Sequence, residues 1–465
     1  MEPLEIYDRL KAVVGEDHVI RDRELMYRYA RDFTEHLDKT PLAVVKPATT
    51  NEVATVAKIC SEYHVGITVR GGGTGVSGGA FCEGGGIVLS LERLNQIIEI
   101  NKIDRYAVVE AGTITRIFQE KVLEEGLCFP QNISSRDSSS LGGNIAVAGG
   151  SPKSFKYGPI KNYLLNLEVV LPNGQVMWTG KNVRKNATGY DLTRLFAGSE
   201  GTLGIITKVV VQLVEPMEEV LLLLPFRSMD NLFNFVREVF WKGIRASSVE
   251  FMDKTGYELI SAFTGGKIFS DPCIEGLLWL EFEGDNKSQL LKDVLEMNEW
   301  MSCWVEEDIL IAESAEDIKA LWIFRNKIGE AVMHSYYFRD VDIVVPRSKS
   351  GEMYSAIKAI AEVFDLKYTA FGHIGDGNFH VNLLRDRSVV TEQWEHLISL
   401  GVSEIFNAAV RLGGTISGEH GIGEIQQPYL TTAIPAWQIQ LMREVKKVFD
   451  PLGILNPGKI FQSSI

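Results

Sequence analysis

Residues 70–80 read Arg70-Gly71-Gly72-Gly73-Thr74-Gly75-Val76-Ser77-Gly78-Gly79-Ala80. Inside them, Gly73-x-Gly75-x-x-Gly78 matches the dinucleotide-binding fingerprint as a bare string. That fingerprint requires a strand before it and a helix after it, so that the helix N-terminus meets a pyrophosphate. The strand is present as Ile67-Thr68-Val69-Arg70. On the other side, AFCEGGGIVLSL at 80–91 leads through more glycine into another strand, so a nicotinamide-type Rossmann unit fails on context. The physics of the loop survives. Glycines let successive backbone N–H groups converge on an anion, and the missing Cβ permits close approach. A diphosphate is a natural guest, although a plain turn between strands uses the same residues.

Working outward, short β-branched runs begin at 43 (AVVK), 67 (ITVR), 87 (IVLSL) and 107 (AVVEAG). Between the first two, Thr49-x-x-Glu52 forms a capping-box pattern and Val53, Val56, Ala57 and Cys60 keep helical spacing. Strand, helix, strand, glycine loop and strand give an α/β reading for this part. Upstream, Leu4, Tyr7, Leu10 and Val13 predict a helix over 3–14. Downstream, Ser138-Ser139-Ser140-Leu141-Gly142-Gly143-Asn144 is rich in small donors, with Gly149-Gly150 shortly after. Gly198-Ser199-Glu200-Gly201-Thr202-Leu203-Gly204 then runs into Ile205-Ile206 and a strand. Three such segments in one half suggest a long ligand wrapped by backbone. Around Glu215 to Glu219 the glycine loops stop and longer amphipathic helices begin. The expected organisation is an N-terminal helical segment over 1–36, one domain over 37–216 and another over 217–465.

The 465 residues are 45% hydrophobic and 23% charged, which suits a globular protein of two or three domains. A formal net charge of −14 argues against nonspecific nucleic-acid binding. None of the five cysteines is spaced as CxxC, so neither an iron–sulfur cluster nor a thiolate zinc site is signalled. The opening MEPLEIYDRL is not a secretory signal, no apolar run reaches the length of a membrane span, and the cytoplasm is the expected location.

The second half carries the candidate chemistry. His373-Ile374-Gly375-Asp376-Gly377-Asn378-Phe379-His380 sets two histidines around a Gly-Asp-Gly turn. Strand alternation after the turn puts His380 and Asn382 on one face. Further on, Ser417-Gly418-Glu419-His420-Gly421-Ile422-Gly423 offers an acid and a histidine side by side. The chain has eight histidines, and three fall in these two motifs. Two histidines and a carboxylate leave open positions on a divalent ion. Spacing alone leaves open whether the two motifs meet.

RGGGTGVSGGA, SSLGGNIAVAGG and ATGYDLTRLFAGSEGTLGIIT resemble FAD-binding segments of the vanillyl-alcohol oxidase and p-cresol methylhydroxylase superfamily. GHIGDGNFH and GEHGIG narrow the resemblance to the branch containing D-lactate dehydrogenases, D-2-hydroxyglutarate dehydrogenase and the glycolate oxidase flavin subunit. It covers about Pro41 to Phe461. It implies an α+β protein: a two-subdomain FAD-binding domain of the p-cresol methylhydroxylase type, then an α+β substrate (cap) domain with an antiparallel sheet. The C-terminal segment would return to the flavin domain.

Carried over by position, the resemblance implies that Arg70, Gly71, Gly72, Gly73, Thr74, Gly75, Val76 and Ser77 cradle the FAD diphosphate. Ser138, Gly142, Gly143 and Asn144 would form a second cofactor loop, and Glu200, Gly201 and Ile206 would line the ribityl and adenine side. His373, His380 and Glu419 would hold a divalent ion (Zn, Fe or Mn), and His420 would be the general base. Arg325 would grip a substrate carboxylate. Asn382, on the same strand face as His380, is read from the alternation as a donor to substrate or to a metal ligand. The implied reaction is oxidation of a small D-2-hydroxy acid, foremost D-lactate, on noncovalent FAD, with electrons leaving to an external acceptor. Electron-transfer flavoprotein, an iron–sulfur subunit and a quinone are the candidate acceptors. A glycolate oxidase flavin subunit is the near alternative; a superfamily transferase that uses FAD without net oxidation and a nonenzymatic flavoprotein subunit rank lower. The chain also departs from its relatives. Gly329 and Asp340 stand where 2-hydroxyglutarate members carry a threonine and a lysine, which points away from a dicarboxylate. Glu424-Ile425-Gln426 stands where a lysine is common.

Overall fold

A computed structural model describes residues 3–34, 39–82, 85–305, 307–386 and 391–462, with the side chains of 3, 4 and 391–393 excepted. Parts of the expected segment 1–36, the Leu4 side chain and residues 83–84 of the AFCEGGG connection lie outside the described residues. The chain divides into two compact units. The first comprises Met1–Gly150, Pro159–Pro216 and Glu419–Ile465; the second comprises Ser151–Gly158 and Met217–Gly418.

In the first unit, β1 (Val19–Ile20), β2 (Ala43–Val45), β3 (Ile67–Arg70) and β4 (Ile87–Ser90) form a sheet of order β1-β2-β4-β3. The β2-β4-β3 part is parallel, as the helical crossover Thr50–Tyr63 between β2 and β3 requires. That helix starts where the sequence says it should: Thr49 Oγ1 accepts from Glu52 N at 3.1 Å, and Glu52 Oε2 accepts from Ala48 N at 2.7 Å. It stops at His64, whose φ of 54° ends the helical run. A second sheet is antiparallel: β5 (Ile97–Asn101), β6 (Tyr106–Glu110), β7 (Leu164–Val170), β8 (Val176–Trp178) and β9 (Ile205–Gln212), ordered β5-β6-β9-β7-β8.

The helix Pro3–Val14 is not a separate segment. Its Ile6, Tyr7, Leu10 and Val14 join the core that also holds Leu89 and Val209. The C-terminal stretch extends the first sheet at β3. Ile67 N donates to Ile454 O at 2.7 Å, and Asn456 N donates to Ile67 O at 2.8 Å. Asp450 holds that stretch by accepting from Ile454 N and Leu455 N.

The second unit is built on one antiparallel sheet of seven strands: β10 (Glu218–Phe226), β11 (Ser248–Asp253), β12 (Gly276–Gly284), β13 (Leu310–Ala312), β14 (Tyr337–Val344), β15 (Lys367–Gly372) and β16 (Asn378–Arg385). The order is β13-β10-β12-β11-β15-β16-β14. The apolar run Val220–Phe226 is buried along its length, as a strand covered on both faces must be. One stretch departs from the sequence expectation. Ser151–Gly158 falls inside 37–216 yet packs with the second unit. The cause is ionic and aromatic. Lys153 Nζ, nearly buried, meets Glu219, Glu281 and Glu283, while Lys156 and Tyr157 both reach Glu283 Oε2. Phe155 lies under Gly375 and 5.8 Å from the Phe240 ring.

Candidate active site

In the first unit the glycine segments meet one another. A Cβ on Gly71 would strike Ser140 Oγ, and one on Gly72 would strike Ser138 O and lie 2.9 Å from Ser139 Cα. One on Gly142 would fall 2.5 Å from Ala111 Cβ. The loop 70–78 therefore lies directly on the loop 138–144. The second loop turns into the helix Leu141–Val147, capped by Ser140 Oγ accepting from Gly143 N. Asn144 does not point outward; its Nδ2 donates to Thr115 Oγ1 at 2.9 Å and Ser139 Oγ at 3.3 Å, which fixes the loop from inside.

Arg70 is likewise a brace. Its buried guanidinium donates to the carbonyls of Arg28, Arg31 and Ala80 and sits under Gly73. Behind the loop, burial pushes the Asp32 carboxyl above its ordinary value and favours the neutral form. Among the described residues, the N–H groups of Gly71, Gly72, Gly73, Thr74, Gly75 and Val76 find no protein acceptor. A run of main-chain donors on a braced loop, with side chains kept out by close packing, fits a diphosphate.

The third segment links to the histidine loop of the same unit. Glu200 has φ 51° and lies buried, and its carboxylate accepts from Ile422 N and Gly423 N, each at 2.7 Å. Burial raises the Glu200 pKa, and those two N–H bonds oppose the rise. Asn456 Nδ2 donates to Glu200 O at 2.6 Å, and a Cβ on Gly201 would lie 2.7 Å from the same amide. Ser77 Oγ donates to His420 O at 2.9 Å, and Glu424 N donates to Ser77 O. The first glycine loop, the Glu200 loop and the Glu419–Gly423 loop thus converge. Ile206 is buried in β9, paired with Val169. Within the pair, His420 Nε2 and Glu419 Oε1 are 3.7 Å apart, and Gly150 has no room for a Cβ beside Glu419. Glu424, in place of a lysine, pairs with Lys39 at 2.6 Å and with the buried Lys459 at 3.0 Å.

In the second unit, the turn after β15 brings His373 and His380 together. Their rings stand edge to face with centroids 5.2 Å apart, and one nitrogen of each lies within 4.8 Å of the other. Such a pair of nitrogens can share a divalent ion. β16 runs beside β14 with His380 opposite Asp342 and Asn382 opposite Asp340. Asn382 Nδ2 donates to Asp340 Oδ1 at 2.8 Å, so its amide orientation is set from the neighbouring strand. Asp342 accepts from Asn378 Nδ2, Ser417 Oγ and Gly418 N. Arg325 lies in the helix Ala315–Asn326 with only 5% exposure; its Nη2 donates to Glu250 Oε2 at 2.8 Å, and its Nε is buried without a partner. Glu250 Oε1 lies 2.7 Å from His373 Nδ1.

Residues 215–460 match the family of FAD linked oxidases, C-terminal domain, and residues 41–180 match the FAD binding domain family. A glycolate oxidase subunit from Bacillus subtilis is 35% identical over 93% of this chain and 92% of its own length. A D-lactate dehydrogenase from Archaeoglobus fulgidus is 34% identical over 90% of each chain. The chain belongs to the FAD-linked oxidase family. Its fold is that of p-cresol methylhydroxylase, which superposes with a TM-score of 0.79 over 98% of this chain and 96% of the other at 18% identity.

As an FAD-linked oxidase, the chain is an FAD-dependent oxidoreductase, and the glycine-lined loops fall within or beside the matched FAD-binding stretch. Among the described residues no helix is long and apolar enough to cross a membrane. His373, His380, Asn382 and Arg325 belong to the second unit, while Glu419 and His420 belong to the first. Sequence reading missed Glu250, which touches both Arg325 and His373. Its only signal is an acid between Val249 and Phe251 in β11, a strand buried at every position, which also ends in the buried Asp253. It also missed Asp342, whose partners are set by strand pairing that no local motif announces.

Proposed function

We propose that this FAD-linked oxidase oxidises a small D-2-hydroxy acid, foremost D-lactate, to the 2-oxo acid, and passes the electrons to an external acceptor such as electron-transfer flavoprotein or an iron–sulfur subunit. The observation that carries this reading is the buried, unpartnered Nε of Arg325, one carboxylate away from the His373–His380 pair. A buried donor left unpaired costs about 1–3 kcal/mol, and a substrate carboxylate would satisfy it. The family membership supplies the cofactor, and the names of the relatives supply the substrate class. When bound, FAD accepts the Cα hydride and a divalent ion lowers the pKa of the substrate hydroxyl.

The protein's own residues divide the remaining tasks. The N–H groups of Gly71 to Val76 hold the cofactor diphosphate, and Arg70 and Asn144 keep the two loops in place. His373 and His380 are the nitrogen ligands of the ion, with Glu419 as the carboxylate ligand. His420 accepts the hydroxyl proton on an imidazole nitrogen, since a neutral histidine is available near pH 7. Arg325 orients the substrate carboxylate, and Asn382, held by Asp340 on the His380 face of β16, is a polar group for the substrate or for the ligand beside it. Asp340, bonded to Asn382, puts a negative charge beside that amide, and a second substrate carboxylate near it would meet like charge, which disfavours dicarboxylates.

Anaerobic bleaching of the flavin across a panel of D- and L-hydroxy acids tests the reading. D-lactate is expected to bleach a metal-loaded enzyme and L-lactate to fail. Preferential bleaching by glycolate would select the other relative's substrate. Persistent yellow colour with every D-acid would sink the proposal.

A further inference from the structure

We infer that Glu250 is a positioning residue that ties metal capture and carboxylate recognition into one device. The inference rests on the proposed function, in which His373 ligates the ion and Arg325 holds the substrate. Glu250 stands in the middle of β11, and its side chain has no exposure. Its two oxygens are divided between two partners: Oε1 faces His373 Nδ1 at 2.7 Å, and Oε2 accepts from Arg325 Nη2 at 2.8 Å.

The first contact fixes a tautomer. A carboxylate oxygen can only accept, so the imidazole proton sits on Nδ1 and Nε2 carries the lone pair that a metal ion would need. The second contact fixes a direction. With Nη2 tethered and the guanidinium carbon 5.1 Å from the Phe371 ring centroid, the Arg325 head cannot swing, and Nε stays unpaired. Phe371 closes the circuit, with its ring 5.5 Å from that of His380, the other proposed nitrogen ligand. One carboxylate therefore aims the donor that reads the substrate and the nitrogen that holds the ion.

An ordinary buried ion pair would stabilise this strand without linking the two tasks, and Glu250→Gln separates the two cases. Glutamine has one acceptor and one donor. With its oxygen toward Arg325, the NH2 group faces His373 Nδ1 and drives the proton to Nε2. With its oxygen toward His373, the NH2 group opposes Arg325 Nη2. No orientation keeps both contacts.

The purified flavoprotein is equilibrated with zinc or manganese against a chelator of known affinity, and metal content and steady-state KM and kcat for D-lactate are measured. E250Q is expected to keep its FAD, to bind metal roughly 10- to 100-fold more weakly, and to show a raised KM. Arg325→Met is expected to raise KM while holding metal within about twofold, because Oε1 still serves His373. Wild-type metal affinity together with wild-type KM in E250Q overturns the inference alone. A wild-type enzyme that takes up neither metal overturns the underlying reading and the inference with it. Should E250Q not accumulate as a folded flavoprotein, Glu250→Asp keeps the charge and shortens the reach by one methylene. Unchanged metal affinity and KM in that variant overturn the inference as well.

Discussion

Lys153→Met should destabilise the second unit by an amount that grows with pH. Lys153 Nζ contacts Glu281 at 2.5 Å, Glu219 at 2.7 Å and Glu283 more closely still, with its own side chain 9% exposed and that of Glu281 fully buried. Burial alone would lower the Lys153 pKa; the charges of Glu281, Glu219 and Glu283 outweigh it and hold it above the ordinary lysine value. Burial pushes Glu281 up, and Lys153 works against that rise. Burial acts on Glu283 in the same sense, but Lys153, Lys156 and Tyr157 outweigh it and hold the pKa low.

Removing one partner of a buried ion pair costs about 3–5 kcal/mol, because the other charge stays behind. For a unit of this size, that corresponds to a fall in melting temperature of roughly 6–20 °C. The sign of the pH dependence comes from linkage. Without the ammonium, the folded-state pKa of Glu281 moves further above its unfolded value, and Glu283 loses the strongest of the partners that hold its pKa low. The unfolded chain then ionises first as pH increases, so stability falls from the ordinary carboxyl range upward. The deficit relative to wild type should be small near pH 5 and largest near pH 8, and adding Glu281→Gln should recover part of it. Differential scanning calorimetry at both pH values measures this. A deficit under about 2 °C at pH 8, or one that shrinks as pH rises, would refute the reasoning.

Three further outcomes are expected. Gly72→Ala forces a Cβ against Ser138 O and the backbone of Ser139, parts the two cofactor loops, and should weaken FAD binding roughly 5- to 150-fold for about 1–3 kcal/mol of overpacking, read by fluorescence titration of apoprotein. Glu200→Gln turns one of the two acceptors that hold Ile422 N and Gly423 N into a donor, and should cost about 1–3 kcal/mol of stability in the first unit and slow substrate-driven bleaching. Dialysis against a strong chelator should leave FAD content intact, abolish bleaching by D-lactate, and allow recovery with zinc or manganese; full activity after verified metal removal would exclude the ion from the reaction.

The glycine loops, the first capping box and the His373–His380 turn are legible in the sequence because each is local: spacing within ten or so residues decides them. The alternation Phe379-His380-Val381-Asn382 puts His380 and Asn382 on one face of β16 without reference to its neighbours. Glu250 is illegible for the opposite reason. Its partners Arg325 and His373 lie 75 and 123 residues away; His373 reaches it because the sheet order sets β11 beside β15, and Arg325 arrives from the helix Ala315–Asn326. The same holds for Ser151–Gly158. Nothing in that stretch announces that Lys153 will find Glu281, 128 residues on, and be drawn out of the domain that surrounds it in sequence.

The glycines themselves carry a different meaning from the one their pattern suggests. A glycine-rich string invites the reading that a ligand excludes the Cβ. At Gly71, Gly72 and Gly142 the excluding atoms belong to the protein: Ser140 Oγ, Ser138 O and Ala111 Cβ. Those three positions favour glycine because the protein itself packs against them, Gly71 and Gly72 against the second loop and Gly142 against Ala111 at the end of β6, so the pattern is weak testimony about binding. A cofactor cradle differs from a tight turn in the fate of its main-chain donors. A turn satisfies its N–H groups internally, and burying them unpaired is penalised. Here six consecutive N–H groups from Gly71 to Val76 have no protein acceptor among the described residues, while Arg70 consumes its guanidinium on the carbonyls behind them. The loop is braced from behind and open by its amides, a polarity that suits an anion and would repel a cation.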